Sequence, residues 1–253
     1  MSLSLAAAVP TTDSAATGLL VSVRSVAEAA SIAPLAVDVI DLKEPRRGPL
    51  GATDPELWHR CLAECTTSAL WSVALGEAEA ALRWTAEVPA EFSYAKAGPA
   101  GLDRPEQLAR LWDQLREQLP ASVALVAVAY ADGPAAGTIE PEHVLEAAVA
   151  AGLRTFLLDT FGKDGRSILE HLSPERLRML VSRAAAAGCD VVIAGGVNFD
   201  ALATLTQLQI RRIGVRGGVC GGNRQSAIDP SQVAHWVQRL RELARSDHAS
   251  EGR

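Results

Sequence analysis

The sequence predicts an α/β protein folded as a single (β/α)8 barrel. Its 253 residues suit one such barrel in one piece. Short apolar runs rich in β-branched residues alternate with amphipathic stretches, which is the pattern of β-strands and helices in a parallel sheet. There are eight such units, the number that closes a barrel. Hydrophobic residues make up 48% of the chain and charged residues 21%, enough apolar material for one large core.

Each predicted strand is followed by a helical pattern or by a loop that leads into one. The eight strands are predicted at residues 19–23, 35–41, 69–74, 92–96, 123–129, 155–159, 190–194 and 212–215. Helix starts are predicted where an aspartate precedes a proline suited to a first helical turn. Asp54 stands before Pro55, Asp103 stands shortly before Pro105, and Asp229 stands before Pro230.

An open, doubly wound sheet is the structural alternative, because six or seven of these units could form one. No G-x-G-x-x-G pattern follows the first strand, which removes the nucleotide-binding form of that alternative. No internal repeat of about 20–50 residues is visible either. We therefore predict the closed architecture, a TIM barrel.

The barrel domain is predicted at residues 19–245, between flexible tails at 1–18 and 246–253. The first segment has no basic start and only a short apolar run, so neither a signal peptide nor a transmembrane helix is expected. The four cysteines show no paired C-x-x-C spacing, and we expect them to be buried small residues rather than disulfides or zinc ligands. These observations favour a cytoplasmic protein.

The charge pattern indicates a small-molecule partner. The formal net charge is −6 and no basic run is present, which argues against nucleic acid and anionic membranes as partners. The five histidines fall in predicted helices or the C-terminal tail without metal-ligand spacing, so no metal or organic cofactor is implied. The five scattered tryptophans suggest core or subunit packing, and we expect a homo-oligomer.

Lysine is rare and its positions are informative. Of 24 basic residues only Lys43, Lys96 and Lys163 are lysines, and they lie at or just past the ends of predicted strands two, four and six. A lysine amine can lose its proton when it is desolvated or placed near other cations and can then add to a carbonyl, whereas arginine stays protonated. Strands of equal parity supply the same side-chain layers, so the three amines can converge on one cavity. The alternative is three surface lysines in ordinary salt bridges.

Two aspartates accompany the lysines. Asp41 stands two residues before Lys43, on the same side of an extended strand, and Asp159 ends strand six, four residues before Lys163. Carboxylates in such positions can orient amines or pass protons. They can equally form buried ion pairs that only hold a loop, and the sequence leaves both roles open.

Two glycine pairs predict a phosphate site. Gly195 and Gly196 follow strand seven, and Gly217 and Gly218 follow strand eight directly after Arg216. Barrels often bind phosphate through backbone N–H groups at these two positions, and glycine lets the backbone come close to the ligand. A single pair could mark a tight turn only, but both pairs together with Arg216 favour phosphate binding.

Several segments together resemble the (5-formylfuran-3-yl)methyl phosphate synthases, also called 4-(hydroxymethyl)-2-furancarboxaldehyde-phosphate synthases. The resemblance runs from Leu19 to Ile228, and residues 20–22, 38–52, 94–98, 158–165 and 213–220 carry it best. The Asp-x-Lys-x-Pro stretch that begins at Asp41 is the most specific part. Longer termini and an arginine-rich surface depart from the family pattern without touching the predicted site.

The resemblance implies a lyase of methanofuran biosynthesis that serves one-carbon metabolism. Two molecules of glyceraldehyde 3-phosphate would condense, with loss of one phosphate and water, to a furan aldehyde that keeps the other phosphate. It implies a Schiff base at Lys43, a proton-accepting amine at Lys96, and Asp41, Asp159 and Lys163 completing the polar site. The alternatives are a lysine-dependent aldolase or lyase for another sugar phosphate, and a barrel that binds a phosphorylated metabolite without catalysis.

Overall fold

The computed structural model describes residues 16–162, 165–208 and 210–251, and its eight strands form one closed parallel barrel in sequence order. β8 returns to β1, with Leu20 opposite Gly214, so the sheet has no free edge. The predicted (β/α)8 architecture is confirmed. The strands are β1 Gly18–Val23, β2 Val39–Leu42, β3 Leu70–Glu77, β4 Tyr94–Gly98, β5 Ala124–Tyr130, β6 Thr155–Asp159, β7 Asp190–Ile193 and β8 Arg212–Val215.

The predicted strand boundaries differ from the observed ones most at β2 and β3. β2 begins at Val39 rather than at residue 35, because the preceding segment turns and Asp38 accepts a hydrogen bond from the Leu19 N–H at 2.7 Å. β3 continues to Glu77 beyond the predicted end, through an irregularity in its pairing with β4. Apolar periodicity along the chain does not encode either feature.

Helices cover the outside of the barrel. All three predicted starts are confirmed at Pro55, Pro105 and Pro230, although Arg104 rather than Asp103 occupies the cap before Pro105. The last helix continues through most of the segment predicted as a C-terminal tail, while residues 1–15 and 252–253 of the predicted tails lie outside the described residues. The helices are α1 Val26–Ile32, α2 Pro55–Glu64, α3 Leu82–Thr85, α4 Pro105–Gln118, α5 Gly133–Ala136, α6 Pro141–Ala150, α7 Ile168–His171, α8 Pro174–Ala186, α9 Phe199–Thr206 and α10 Pro230–Glu251.

The strands divide the apolar side chains between two cores. One side of the strands faces the barrel interior, where Val39, Tyr94 and Leu157 pack together. The other side packs against the helices, whose fully buried side chains include Trp58 and Trp236. Side chains alternate between the two faces of a strand, so a residue two positions after an interior residue also points inward. Near the carboxyl end of the strand, such a residue points into the barrel mouth.

The four cysteines are buried and unbridged, as predicted. None of the described helices is both long and apolar enough to cross a membrane.

Candidate active site

The mouth of the barrel holds most of the predicted catalytic residues. Asp41 and Lys43 from β2, Lys96 from β4 and Asp159 from β6 are all buried, and all four line one cavity of about 870 Å³. This cavity lies at the carboxyl ends of the strands, where barrel enzymes place their active sites. Lys163 lies outside the described residues, so its convergence on this cavity stays a prediction.

Asp41 is the centre of a buried polar network. Its side chain has no exposed surface, and its Oδ1 lies 2.5 Å from Lys96 Nζ. The Ser72 hydroxyl donates to Oδ1 at 2.9 Å, and the Ser22 hydroxyl donates to Oδ2 at 2.8 Å. Three donors from β1, β3 and β4 thus fix both carboxylate oxygens.

The two serines were missed in the sequence, but a signal for them exists. Ser22 and Ser72 pair in register with Asp41 on either side, one strand away in each direction. Directly opposite residues of neighbouring strands point to the same face of the sheet. A hydroxyl at the same inward level as the carboxylate in both flanking strands would have indicated the network.

The charges around Asp41 favour its ionised form. Burial raises the pKa of this carboxyl group, but the positive charges of Lys96 and Lys43 and the hydrogen bonds from Lys96 and Ser22 outweigh burial, so the pKa lies below its usual value. Asp41 is therefore a carboxylate at neutral pH. Its Oδ1 accepts a hydrogen bond from the Lys96 amine and holds that amine in place.

Lys43 is the first residue after β2, and it lines the cavity. Its backbone N–H donates to the Val23 carbonyl at 2.9 Å, which extends the pairing of β1 and β2 by one residue. Only 8% of the residue is exposed. Lys43 thus presents an amine to the cavity from a backbone that two strands hold in place, which suits a nucleophile that must meet a carbonyl at a defined angle.

The end of β6 is held by a carboxylate that sequence reasoning did not single out. Asp132 accepts hydrogen bonds from the Phe161 N–H at 2.6 Å and from the Gly162 N–H at 2.7 Å. Asp159 accepts a hydrogen bond from the Thr160 N–H at 2.8 Å. The described part of the loop after β6 is therefore fixed up to the residue before Lys163.

Both predicted glycine pairs line the same cavity as Lys43 and Lys96. Gly195 and Gly196 have φ values of +87° and +63°, in the left-handed region that favours glycine. A Cβ at Gly195 would lie 2.8 Å from Thr160 Cγ2, and one at Gly196 would lie 2.7 Å from the Arg166 carbonyl oxygen. The close packing of the surrounding chain therefore requires glycine at both positions, independently of any ligand.

Arg216 lines the same cavity as the glycine pairs, but its guanidinium is bonded to partners within the chain. Its guanidinium donates to the Glu28 carboxylate at 2.9 and 3.2 Å, and to the carbonyl oxygens of Ser22, Arg224 and Ser226 at 2.8, 2.7 and 3.1 Å. These five bonds equal the number of N–H donors that an arginine has. In this arrangement Arg216 connects the loop after β8 to α1. Its predicted contact with phosphate stays a prediction.

A second polar pair lies at the ends of β3 and β5. The Tyr130 hydroxyl donates to Glu77 Oε1 at 2.6 Å. Burial raises the pKa of Glu77 although the hydrogen bond from Tyr130 lowers it, and burial together with the Glu77 charge raises the pKa of Tyr130 well above its usual value. Ala78, the next residue, has φ +44°, a strained value for a residue with a Cβ. The Glu77–Tyr130 pair therefore lies next to a strained backbone position.

We expect Gly98→Ala to disrupt this pair. A Cβ at Gly98 would overlap the Glu77 carboxylate and would lie 2.5 Å from Tyr130 Oη. Overpacking of this kind costs about 1–3 kcal/mol of unfolding free energy, which urea denaturation measures. Gly217→Ala is the matched control, because its Cβ would meet no atom within 4 Å and its φ is not positive. Equal stability of the two variants would show that the Glu77–Tyr130 contact is not tight.

Within the described ranges, no three His, Cys, Asp or Glu side chains are grouped so as to hold a metal ion. The described residues that line the cavity offer amines, carboxylates and backbone N–H groups. An amine can form an imine with an aldehyde, and a carboxylate beside it can exchange protons with it.

A closed parallel barrel with amines and carboxylates buried at the carboxyl ends of its strands has the architecture of a TIM-barrel enzyme. Residues 19–237 match the family model of 4-HFC-P synthase, and the chain belongs to this family of synthases. The family prediction made from the Asp41 and Lys43 segment is confirmed.

The relatives cover nearly the whole chain. A protein of Streptomyces griseus is 32% identical over 246 residues, which span 90% of this chain and 96% of the relative. The (5-formylfuran-3-yl)methyl phosphate synthase of Archaeoglobus fulgidus is 31% identical over 230 residues, 87% of this chain and 97% of that enzyme. The enzyme of the same name from Methanococcus maripaludis is 27% identical over 234 residues, 88% of this chain and 99% of the relative.

Solved structures resemble this chain in fold alone. Phosphoribosyl anthranilate isomerase from Thermus thermophilus superposes with a TM-score of 0.61 at 16% identity, over 90% of this chain and 100% of that one. KGPDC from Streptococcus mutans superposes with a TM-score of 0.59 at 12% identity, over 90% of this chain and 99% of that one.

Proposed function

We propose that this chain is a (5-formylfuran-3-yl)methyl phosphate synthase that acts through a lysine Schiff base. It condenses two molecules of glyceraldehyde 3-phosphate, with loss of one phosphate and water, as a carbon–oxygen lyase of methanofuran-type cofactor biosynthesis. One observation carries the proposal: Lys43 and Lys96, together with the buried carboxylate of Asp41, line one cavity. The family and the archaeal relatives of that name support the product.

We assign to the residues the roles that the family resemblance implies, and their surroundings support this assignment. The Lys43 amine adds to the aldehyde carbon, and loss of water gives an iminium ion that acidifies the neighbouring C–H bond. The Lys96 amine, held 2.5 Å from Asp41, removes and returns protons while Asp41 stabilises its ammonium form. Asp159 faces the same cavity from β6 and completes the proton-transfer groups together with Lys163.

We expect phosphate to bind to the backbone N–H groups of Gly195, Gly196, Gly217 and Gly218. Titration with inorganic phosphate should shift their amide resonances, because hydrogen bonds to an anion change the environment of each N–H. Gly217→Val is the blocking variant, since open space at its Cβ lets the fold accept a side chain that obstructs the ligand. Amide signals that stay unmoved in the unsubstituted protein would refute the phosphate assignment.

The direct test of function is product analysis. Purified protein is incubated with glyceraldehyde 3-phosphate alone, and the product is identified by mass spectrometry while released phosphate is measured. We expect the furan aldehyde phosphate and one phosphate for every two substrate molecules consumed. A different product would indicate another lysine-dependent aldolase or lyase. Substrate binding with neither product nor imine would indicate a barrel that only binds a phosphorylated metabolite.

A further inference from the structure

The wall of the cavity is strongly cationic in a chain whose net charge is −6. Among the described residues, six cationic side chains and two carboxylates line it. The carboxylates are Asp41 and Asp159; the cations are Lys43, Arg46, Lys96, Arg166, Arg216 and Arg224. Such an excess of positive charge on a concave surface attracts anions. The two amines of Lys43 and Lys96 account for only part of this charge.

Arg224 is the least satisfied of the half-buried cations. Its one side-chain hydrogen bond in the described part of the chain goes from an Nη2 donor to the Gly48 carbonyl oxygen, at 3.3 Å. No described carboxylate lies within 4.0 Å of its guanidinium, and Arg224 forms no ion pair with any described residue. Burial lowers the pKa of Arg224, which reflects the cost of removing its charge from water. Most of its five N–H donors remain available to a ligand.

Hydrogen bonds from Arg216 hold the loop that carries Arg224 in place. Arg216 donates to the Arg224 carbonyl oxygen at 2.7 Å and to the Ser226 carbonyl oxygen at 3.1 Å, and it is itself paired with the buried Glu28. The Arg224 side chain then crosses to Gly48, in the loop after β2. Arg216 therefore positions the backbone of Arg224 and leaves the Arg224 guanidinium facing the cavity.

Arg46 extends the same cationic surface. It stands two residues before Gly48, lines the cavity and is exposed. Its side chain has no hydrogen bond or ion pair with another described residue. The glycine pairs, in contrast, follow β7 and β8. Arg224 lies in the same loop after β8 as Gly217 and Gly218, but its side chain reaches to Gly48 in the loop after β2, two residues along the chain from Arg46.

We propose that Arg224, together with Arg46, forms a second phosphate subsite that is separate from the glycine subsite of Gly195, Gly196, Gly217 and Gly218. This inference rests on the proposed function, because two phosphorylated trioses must be held at the same time to be joined. Each carries a phosphate dianion, and one set of backbone N–H groups can hold only one of them. A guanidinium with free donors is suited to bidentate binding of the other.

Calorimetric titration with glycerol 3-phosphate tests the subsite. This probe carries the phosphate but has no carbonyl, so it cannot form an imine or turn over. We expect two molecules per chain in the unsubstituted protein. Arg224→Met should weaken one of the two sites by about tenfold or more and leave the other unchanged. Arg224→Lys, which keeps the charge but loses the bidentate geometry, should weaken the same site less.

Two variants complete the design. Arg46→Met should weaken the same site as Arg224→Met. Arg110→Met is the charge-matched control, since Arg110 is exposed on α4, away from the mouth, and its loss should leave both sites unchanged. Circular dichroism of each variant establishes that it is folded.

Three results would overturn the proposal. One site in the unsubstituted protein would mean that a second subsite does not exist. Loss of both sites in Arg224→Met would mean that Arg224 and the glycine pairs hold the same phosphate. Two unchanged sites in Arg224→Met would mean that Arg224 is not a ligand. Because the assay involves no chemistry, two-site binding can hold even if product analysis refutes the synthase activity.

Discussion

Lys43→Arg is expected to abolish turnover and the covalent adduct that borohydride traps in the presence of substrate. Arginine keeps the positive charge and the approximate reach of lysine, but its guanidinium does not lose its proton and cannot form an imine. A lysine that acted only through its charge would therefore tolerate the exchange in part. Mass spectrometry of the reduced protein, digested to peptides, should place a three-carbon adduct on Lys43.

The scarcity of lysine makes this assay easy to interpret. Only Lys43, Lys96, Lys163 and the N-terminal amine can react. Lys96→Arg is the matched control: we expect it to lose turnover through impaired proton transfer while Lys43 still forms the trapped adduct. An adduct confined to Lys96, or substantial turnover by Lys43→Arg, would overturn the assignment of the nucleophile without affecting the barrel fold.

The fold could be predicted because each of its units leaves a local signal. β6 and β8 were predicted to the residue, since a short apolar run between polar residues determines where such a strand lies. The end of β3 could not be predicted, because Glu77 follows an irregularity in the pairing with β4 and its carboxylate contacts Tyr130, 53 residues away. Apolar periodicity carries no information about such partners.

The candidate site could be predicted for reactive residues that stand at the ends of strands. It could not be predicted for residues whose side-chain position depends on a partner far away in the sequence. The residue type and the barrel position of Asp41, Lys43 and Lys96 were enough to place them at one cavity. Arg216 stands beside a glycine pair, which suggested phosphate binding, but its guanidinium is taken by Glu28, 188 residues earlier in the chain. The sequence carries no signal for the unused donors of Arg224, because the side chain reaches a carbonyl group 176 residues earlier in the chain.

Asp41→Asn is expected to destabilise the protein by about 3–5 kcal/mol, because it leaves the Lys96 ammonium buried without its carboxylate. Lys96→Met should also destabilise it, by leaving the carboxylate without its closest cation. The double variant Asp41→Asn/Lys96→Met should be more stable than the two single changes predict when added, with a coupling of about 1–3 kcal/mol. Urea denaturation of the four proteins measures this coupling.

The double variant also separates stability from catalysis. If the pair served the fold alone, activity would return together with stability, whereas a catalytic pair leaves the double variant folded and inactive. Acid titration supplies an independent test. The pKa of Asp41 is lowered in the folded protein, so its stabilising contribution is present above the pKa of the unfolded chain and is lost as pH falls through the folded pKa. The double variant should therefore lose less stability across that acidic range than the unsubstituted protein, and an identical acid profile would show that Asp41 is not ionised in the folded state.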